Sequence, residues 1–336
     1  MCKRDNLSIK YQTMKNNTFK EIADVLKDAK TVLLYPHVGI DGDAVGSCVA
    51  ICKTLRNMGK TCYALYNEDL PMNLQFMTRD YFTNDKDIID DSNLDVSMAI
   101  DCGGYDRFVD FKDKFNKAKV TICVDHHGTS TGIADYNYID KDASAAGVLV
   151  FDLLKEMGIE SDKEIGEALF AAITTDTGNF QYSNTSKRCH EIMAELYDWG
   201  IDVNRVSVEI YENERPEKLK IANVAMDNLE MIANGQGVVA YVSYDDLKRL
   251  GVLAGETDPI VQTLRSIRGV EIAAFLKEKE PNVIRVSYRA KLNANVSDLA
   301  VLHNGGGHVK AAGCTLYTSL EEAIEIIKRD IEDALR

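Results

Sequence analysis

Aspartate and histidine recur in this chain at the points where apolar runs stop. His37, Asp41 and Asp43 stand in YPHVGIDGDAVGS, just beyond TVLLY. Asp101 ends DVSMAID, and Asp125, His126 and His127 end KVTICVDHH. Asp176 follows AAITT and precedes TGNF. The carboxylates of Asp41, Asp43, Asp101, Asp125 and Asp176, gathered in one place, would repel strongly unless protonated or neutralised by cations. Carboxylate with imidazole suits divalent ions such as Mn²⁺, with Mg²⁺ or Co²⁺ as substitutes. The cysteines show no CxxC pair and none joins the pattern, which argues against structural zinc. Two divalent ions about 3.5–4 Å apart are the usual arrangement for phosphoester hydrolysis. A lone Asp-Gly-Asp is ordinarily a loop, and a lone strand-end Asp a helix cap. Recurrence at successive element ends is what carries the metal reading.

A second candidate is the run Asn304-Gly305-Gly306-Gly307-His308, followed by VKAAG. Glycines let backbone N–H groups approach a ligand, and successive amides form an anion nest. The run lacks the Lys-Ser/Thr ending of a Walker loop. Between residues 283 and 315, Arg285, Arg289, Lys291 and Lys310 stand against Asp298 alone. An arginine fork fits a terminal phosphate.

These residues need elements to hold them. Residues 31–37, 61–67, 95–101 and 119–125 read as buried strands, and 44–58, 143–157, 163–173 and 186–200 as helices. That alternation predicts a parallel sheet covered on both faces. In such a sheet the carboxyl ends of the strands share one crevice, which is where the acids and histidines fall. Residues 201–235 read as charged, helical and strand-free, with Pro216 starting a helix. Strands are predicted at 237–244, 271–280 and 282–291, the last two as a hairpin about Pro281-Asn282. A final helix, 320–335, opens on the capping pattern Ser319…Glu322. The expected organisation is α/β throughout: a parallel-sheet domain over 18–200, a helical connector over 201–219 and a smaller α/β domain over 220–336.

At 336 residues and 45% hydrophobic content, a disordered or disulfide-scaffold chain is excluded. The 39 Lys+Arg against 53 Asp+Glu give a net charge of −14, which disfavours long duplex nucleic acid as a partner. The polar amino-terminal stretch shows no signal-peptide pattern, and no 18-residue apolar stretch exists, so a cytoplasmic, membrane-free protein is expected. Its oligomeric state is left open, a homodimer included.

HVGIDGDAVGS, the Asp101 strand end, VDHHGTS and TTDTGNF resemble, in order, the four motifs of the DHH phosphoesterases. SYRAK, NVSDLA and NGGGHVKAAG resemble the DHHA1 companion domain. The likeness runs from about residue 30 to 317 and is nearest to the stand-alone oligoribonuclease/pAp-phosphatase branch. It implies two Mn²⁺ ions, one held by His37, Asp41 and Asp101 and one by Asp43, Asp101, His126 and Asp176. It implies that Asp125 orients a histidine and that His127 lies beside the substrate phosphate. Asp101, Asp125 and His127 are thus the expected catalytic group. Arg289 and His308, with Asn304, Gly305, Gly306 and Gly307, are the expected substrate grip, with the active cleft between the two domains. The implied substrates are short RNA oligonucleotides and 3′-phosphoadenosine 5′-phosphate (pAp). The alternatives are cyclic di-AMP or pApA, or, remotely, a non-catalytic nucleotide sensor. Two departures from the family pattern stand out: Ile40 replaces a common proline, and Cys102-Gly103-Gly104 stands where another acid is frequent.

Overall fold

The structure is a computed structural model that describes residues 16–253 and 255–336. The polar stretch read as lacking a signal peptide lies outside the described residues up to residue 15. The chain divides into two compact units, ending and beginning at Asn213 and Glu214. Among the described residues no helix is long and apolar enough to cross a membrane.

The first unit is built on a six-stranded sheet: β1 (Thr31–Tyr35), β2 (Thr61–Leu65), β3 (Phe82–Thr83), β4 (Val96–Ile100), β5 (Val120–Asp125) and β6 (Tyr136–Ile139). Every pairing is parallel, in the order β3-β2-β1-β4-β5-β6. The order reverses between β1 and β4, so their carboxyl ends flank a topological switch point. Each strand is apolar on both sides because both faces are covered. Val32 and Leu34 of β1 join one core with helices Gly42–Asn57 and Ala146–Glu156, while Leu33 and Tyr35 join another with Phe108 and Phe115. Helices Gly42–Asn57 and Lys163–Asp176 approach closely because Gly46 has no side chain; a Cβ there would lie 2.3 Å from the Ala168 carbonyl oxygen. β3 and β6 carry no clear strand signal in the sequence. They are short, half-buried edge strands without the apolar density of the central ones.

Helix Val203–Tyr211 packs Val206 and Ile210 into the core of the first unit, whereas helix Pro216–Asp227, with Pro216 in its first turn, packs Ile221 and Ala225 into that of the second. The stretch 201–235 is not strand-free as expected: Glu230–Ile232 forms β7, an edge strand paired antiparallel to β8 (Gly237–Val242). Its Glu-Met-Ile sequence is too short for alternation to show. β9 (Ile272–Glu280) and β10 (Val283–Ala290) make the expected hairpin, turning through Asn282 at φ 64°. β11 (Gly306–His308) and β12 (Ala311–Leu316) complete a mixed sheet, β11-β12-β10-β9-β8-β7, in which only β8 and β9 run parallel. Helix Leu320–Ala334 places Ala323, Ile324, Ile327 and Ile331 against one face. Ser319 caps it, accepting from the Glu322 N–H at 3.2 Å; the Glu322 carboxylate bonds Thr318 instead of closing the expected reciprocal box.

Candidate metal centre

The switch point places the predicted acids and imidazoles within reach of one another. His37 lies two residues beyond β1 and is buried, its Nδ1 facing the Val38 carbonyl at 2.9 Å. Its Nε2 is 3.5 Å from Asp101 Oδ2 and 3.7 Å from Asp41 Oδ2. Asp41 is the N-cap of helix Gly42–Asn57 and accepts from the N–H groups of Asp43 and Ala44. Asp101 follows β4 directly, is 2% exposed, and has φ 54°, left-handed backbone that aspartate tolerates better than most side chains. Asp43 is held at the start of helix Ala146–Glu156 by the Ala146 N–H at 2.6 Å and the Gly147 N–H at 2.8 Å.

His126 joins the remaining acids. Its Nε2 lies 3.3 Å from Asp101 Oδ1, 3.6 Å from Asp43 Oδ2 and 3.7 Å from Asp176 Oδ2. Its other ring nitrogen faces the Ala143 carbonyl at 3.3 Å, the kind of backing a ligand imidazole requires. Asp125 is fully buried, and its Oδ1 lies 2.8 Å from His127 Nδ1 while accepting the N–H groups of His126 and His127. The histidine that Asp125 orients is therefore His127.

Among the described residues, three groups present ligand atoms all within 4.8 Å of one another: His37, Asp41 and Asp101; Asp43, His126 and Asp176; and Asp101, His126 and His127. Asp101 contributes to two of them, one oxygen toward His37 and the other toward His126.

The electrostatics fit a cationic occupant. Asp101 Oδ1 is buried and accepts no well-formed hydrogen bond. Burial and the neighbouring Asp101 and Asp176 carboxylates push the Asp43 carboxyl well up, and burial raises Asp176 to about 6. Burial opposes the charging of His37, but bonds to Asp101 and Asp41 outweigh it and raise the imidazole to about 10. His126 likewise rises to about 10, held by Asp101 and Asp43 against burial. Without cations, the cluster keeps protons that free carboxylates and imidazoles would have released. The donor set is carboxylate oxygen and imidazole nitrogen, which suits hard-to-borderline divalent ions.

Some supporting residues carried no readable signal. The Asn184 amide donates to Asp176 Oδ2 at 3.2 Å and to the Ser144 carbonyl at 2.8 Å, fixing the carboxylate at the helix end. The Cys102-Gly103-Gly104 departure has a steric reason: a Cβ on Gly103 would overlap the Ser130 side chain and come within 2.5 Å of Asp125 Oδ2. Phe180 packs against the core and beside the His190 ring, centroids 4.9 Å apart.

In the second unit, Arg289 and His308 both stand in register with Ala311, across β10, β12 and β11. Directly opposed residues project to the same face, so the two side chains share a side of the sheet. That face also carries Arg285 and Ser287, while Ile284, Val286 and Tyr288 are buried on the other. Asn304 takes left-handed backbone (φ 57°), and Gly306–His308 are exposed edge strand. Over Gly306–His308 the strand pairing sends successive N–H groups to opposite sides rather than to one concave nest. The glycines serve close packing instead: Cβ atoms on Gly305 and Gly307 would lie 2.3 Å and 2.5 Å from the carbonyl oxygens of Gly313 and Ala311.

Comparison with known proteins agrees with this architecture. Residues 31–173 match the DHH family, N-terminal domain, and residues 234–335 match the DHHA1 domain. A Thermus thermophilus protein named bifunctional oligoribonuclease and PAP phosphatase NrnA is 27% identical, over 94% of this chain and 93% of its own. A Bacillus subtilis protein of the same name is 26% identical, over 88% and 92%. The crystal structure of an exopolyphosphatase-related protein from Bacteroides fragilis shares the fold, with TM-score 0.88 and 23% identity over 94% of this chain and 96% of that one. With its acids and histidines gathered at the sheet's switch point and both domains matched in order, the chain belongs to the DHH family of phosphoesterases, its second unit a DHHA1 domain.

Proposed function

We propose that this hydrolase uses two Mn²⁺ ions to degrade short RNA oligonucleotides to mononucleotides and to convert pAp to AMP. The observation that carries this is Asp101, buried, with its two carboxylate oxygens facing separate imidazoles at 3.5 and 3.3 Å. That is how a carboxylate shared between two cations would be disposed. His37, Asp41 and Asp101 would hold one ion, and Asp43, Asp101, His126 and Asp176 the other. Such ions, when bound, activate water and neutralise phosphoryl charge. The relatives whose names record both activities align over most of their length.

The chain's own residues do the rest. The Asp125 carboxylate beside His127 accepts from Nδ1–H and raises that imidazole's pKa, which favours the imidazolium, whose Nε2–H would donate to a phosphoryl oxygen. The His127 side chain is 36% exposed, open enough to meet a substrate. Arg289 and His308, on one face of the second sheet, would hold the terminal phosphate. The −14 net charge offers no extended basic track, which favours short substrates.

The deciding experiment compares initial rates on pAp, a diribonucleotide, a 5-mer RNA, pApA and cyclic di-AMP with Mn²⁺. Highest kcat/KM on pAp and short RNA supports the proposal. Highest kcat/KM on cyclic di-AMP or pApA overturns the substrate assignment, and turnover of none of them would make the chain a nucleotide sensor.

A further inference from the structure

The segment that presents His308 is short and lies at the edge of its sheet. There β11 is three exposed residues long, paired with β12. Ser297 Oγ donates to the Gly307 carbonyl at 3.1 Å. Upstream, helix Val296–Val301 ends in a tight turn: the N–H groups of His303 and Gly305 both reach the Ala300 carbonyl, at 3.1 and 2.8 Å. Within that turn the His303 side chain, 18% exposed, places Nε2 2.6 Å from Asp330 Oδ2, itself 13% exposed. Asp330 sits on helix Leu320–Ala334, beside Ile331, which with Ile324 and Ile327 is buried against the sheet.

We propose that His303 and Asp330 are a positioning pair that ties the glycine segment to the last helix and so sets the place of His308. The inference rests on the reading that His308 meets the substrate phosphate. In either charge state His303 donates from Nε2 and the carboxylate accepts, and a partly buried bond to a charged acceptor is among the stronger kind. His303 lies three residues before β11, so a shift of the turn is passed along the chain directly into that strand. Gly305 sits close against Cys314, and the pair holds the turn in that seat.

The test uses the full chain carrying Asp330→Ala, Asp330→Asn, His303→Ala or the double alanine variant, with Ile327→Val as a control that loosens the same helix elsewhere. Hydrogen exchange of the peptide covering residues 303–309 should accelerate in Asp330→Ala and His303→Ala, and no further in the double variant. The KM for pAp should rise about tenfold, as loss of a charged hydrogen bond implies. Expected kcat stays within about twofold, and Mn²⁺ titration is unchanged. Asp330→Asn should recover most of the loss, because its amide oxygen still accepts from Nε2. Wild-type exchange in the alanine variants, additive effects in the double variant, or an equal KM rise in Ile327→Val would overturn the proposal. If the wild-type chain does not turn over pAp, the functional reading fails while the exchange measurements still judge the pair.

Discussion

Gly305 and Gly306 are adjacent in sequence and sterically opposite. A Cβ on Gly305 would stand 2.3 Å from Gly313 O, 2.6 Å from Cys314 Cβ and 2.8 Å from Cys314 Cα. Most of that is backbone of β12, which is paired on both edges and cannot retreat. A Cβ on Gly306 meets nothing within 4 Å. In Gly305→Ala the exposed three-residue strand is the softer partner, so it must move by about 1 Å. Overpacking of this kind costs about 1–3 kcal/mol, and a displacement of about 1 Å at a binding group costs on the order of 10²-fold in kcat/KM. Gly306→Ala should leave unfolding within about 0.5 kcal/mol of wild type. The assay pairs denaturant unfolding followed by circular dichroism with phosphate release from pAp, and Mn²⁺ titration checks that the metal centre is untouched. Equal stability of the two alanine variants would refute the packing argument. A well-folded Gly306→Ala that cannot bind pAp would place the substrate on the open side of β11.

Three further outcomes are expected. Asp101→Asn keeps the shape but removes the shared charge, so kcat should fall by at least about 10³-fold, about 4 kcal/mol, with weakened Mn²⁺ binding in calorimetry; a variant retaining a tenth of wild-type turnover would rule out the shared-ligand role. In the metal-free protein, His37 and His126 are raised from 6.5 to about 10, so the stability they confer is complete below pH 6.5 and is lost as pH rises toward 10. Protons held only by the folded state make stability fall as pH rises, so the first unit should lose stability between pH 7 and 8. Trp199, the chain's one tryptophan, reports that unit from beside Phe151, and saturating Mn²⁺ should abolish the slope, since ligand nitrogens cannot keep protons; metal-free stability that is flat or rising over that range would contradict it. A series from 2-mer to 24-mer RNA at two salt concentrations should peak at about two to five nucleotides with a shallow salt slope of about one to three phosphate contacts; a 24-mer degraded faster than a 3-mer would point to a processive nuclease.

Much of the candidate metal centre was legible because its residues stand at element ends. Buried parallel strands are apolar throughout, so the first acid or histidine after TVLLY, DVSMAI or KVTICV is conspicuous, and parallel topology sends those ends to one side. The glycine run and its local positive charge were equally plain. Other features depended on partners far away in the chain. β3, β6, β7 and β11 are edge strands, formed because a neighbour offers unpaired backbone groups rather than because their own residues alternate. The amides that hold Asp43 come from Ala146 and Gly147, and the side chain that steadies Asp176 is Asn184. The partner of His303, Asp330, lies 27 residues on and meets it at 2.6 Å. Sequence alone determined which residues are costly to gather, because charge and apolar runs are local properties. Only the tertiary structure decided which of them meet and which glycine must stay bare, because registers, close approaches and hydrogen-bond partners exist only once distant segments are packed together.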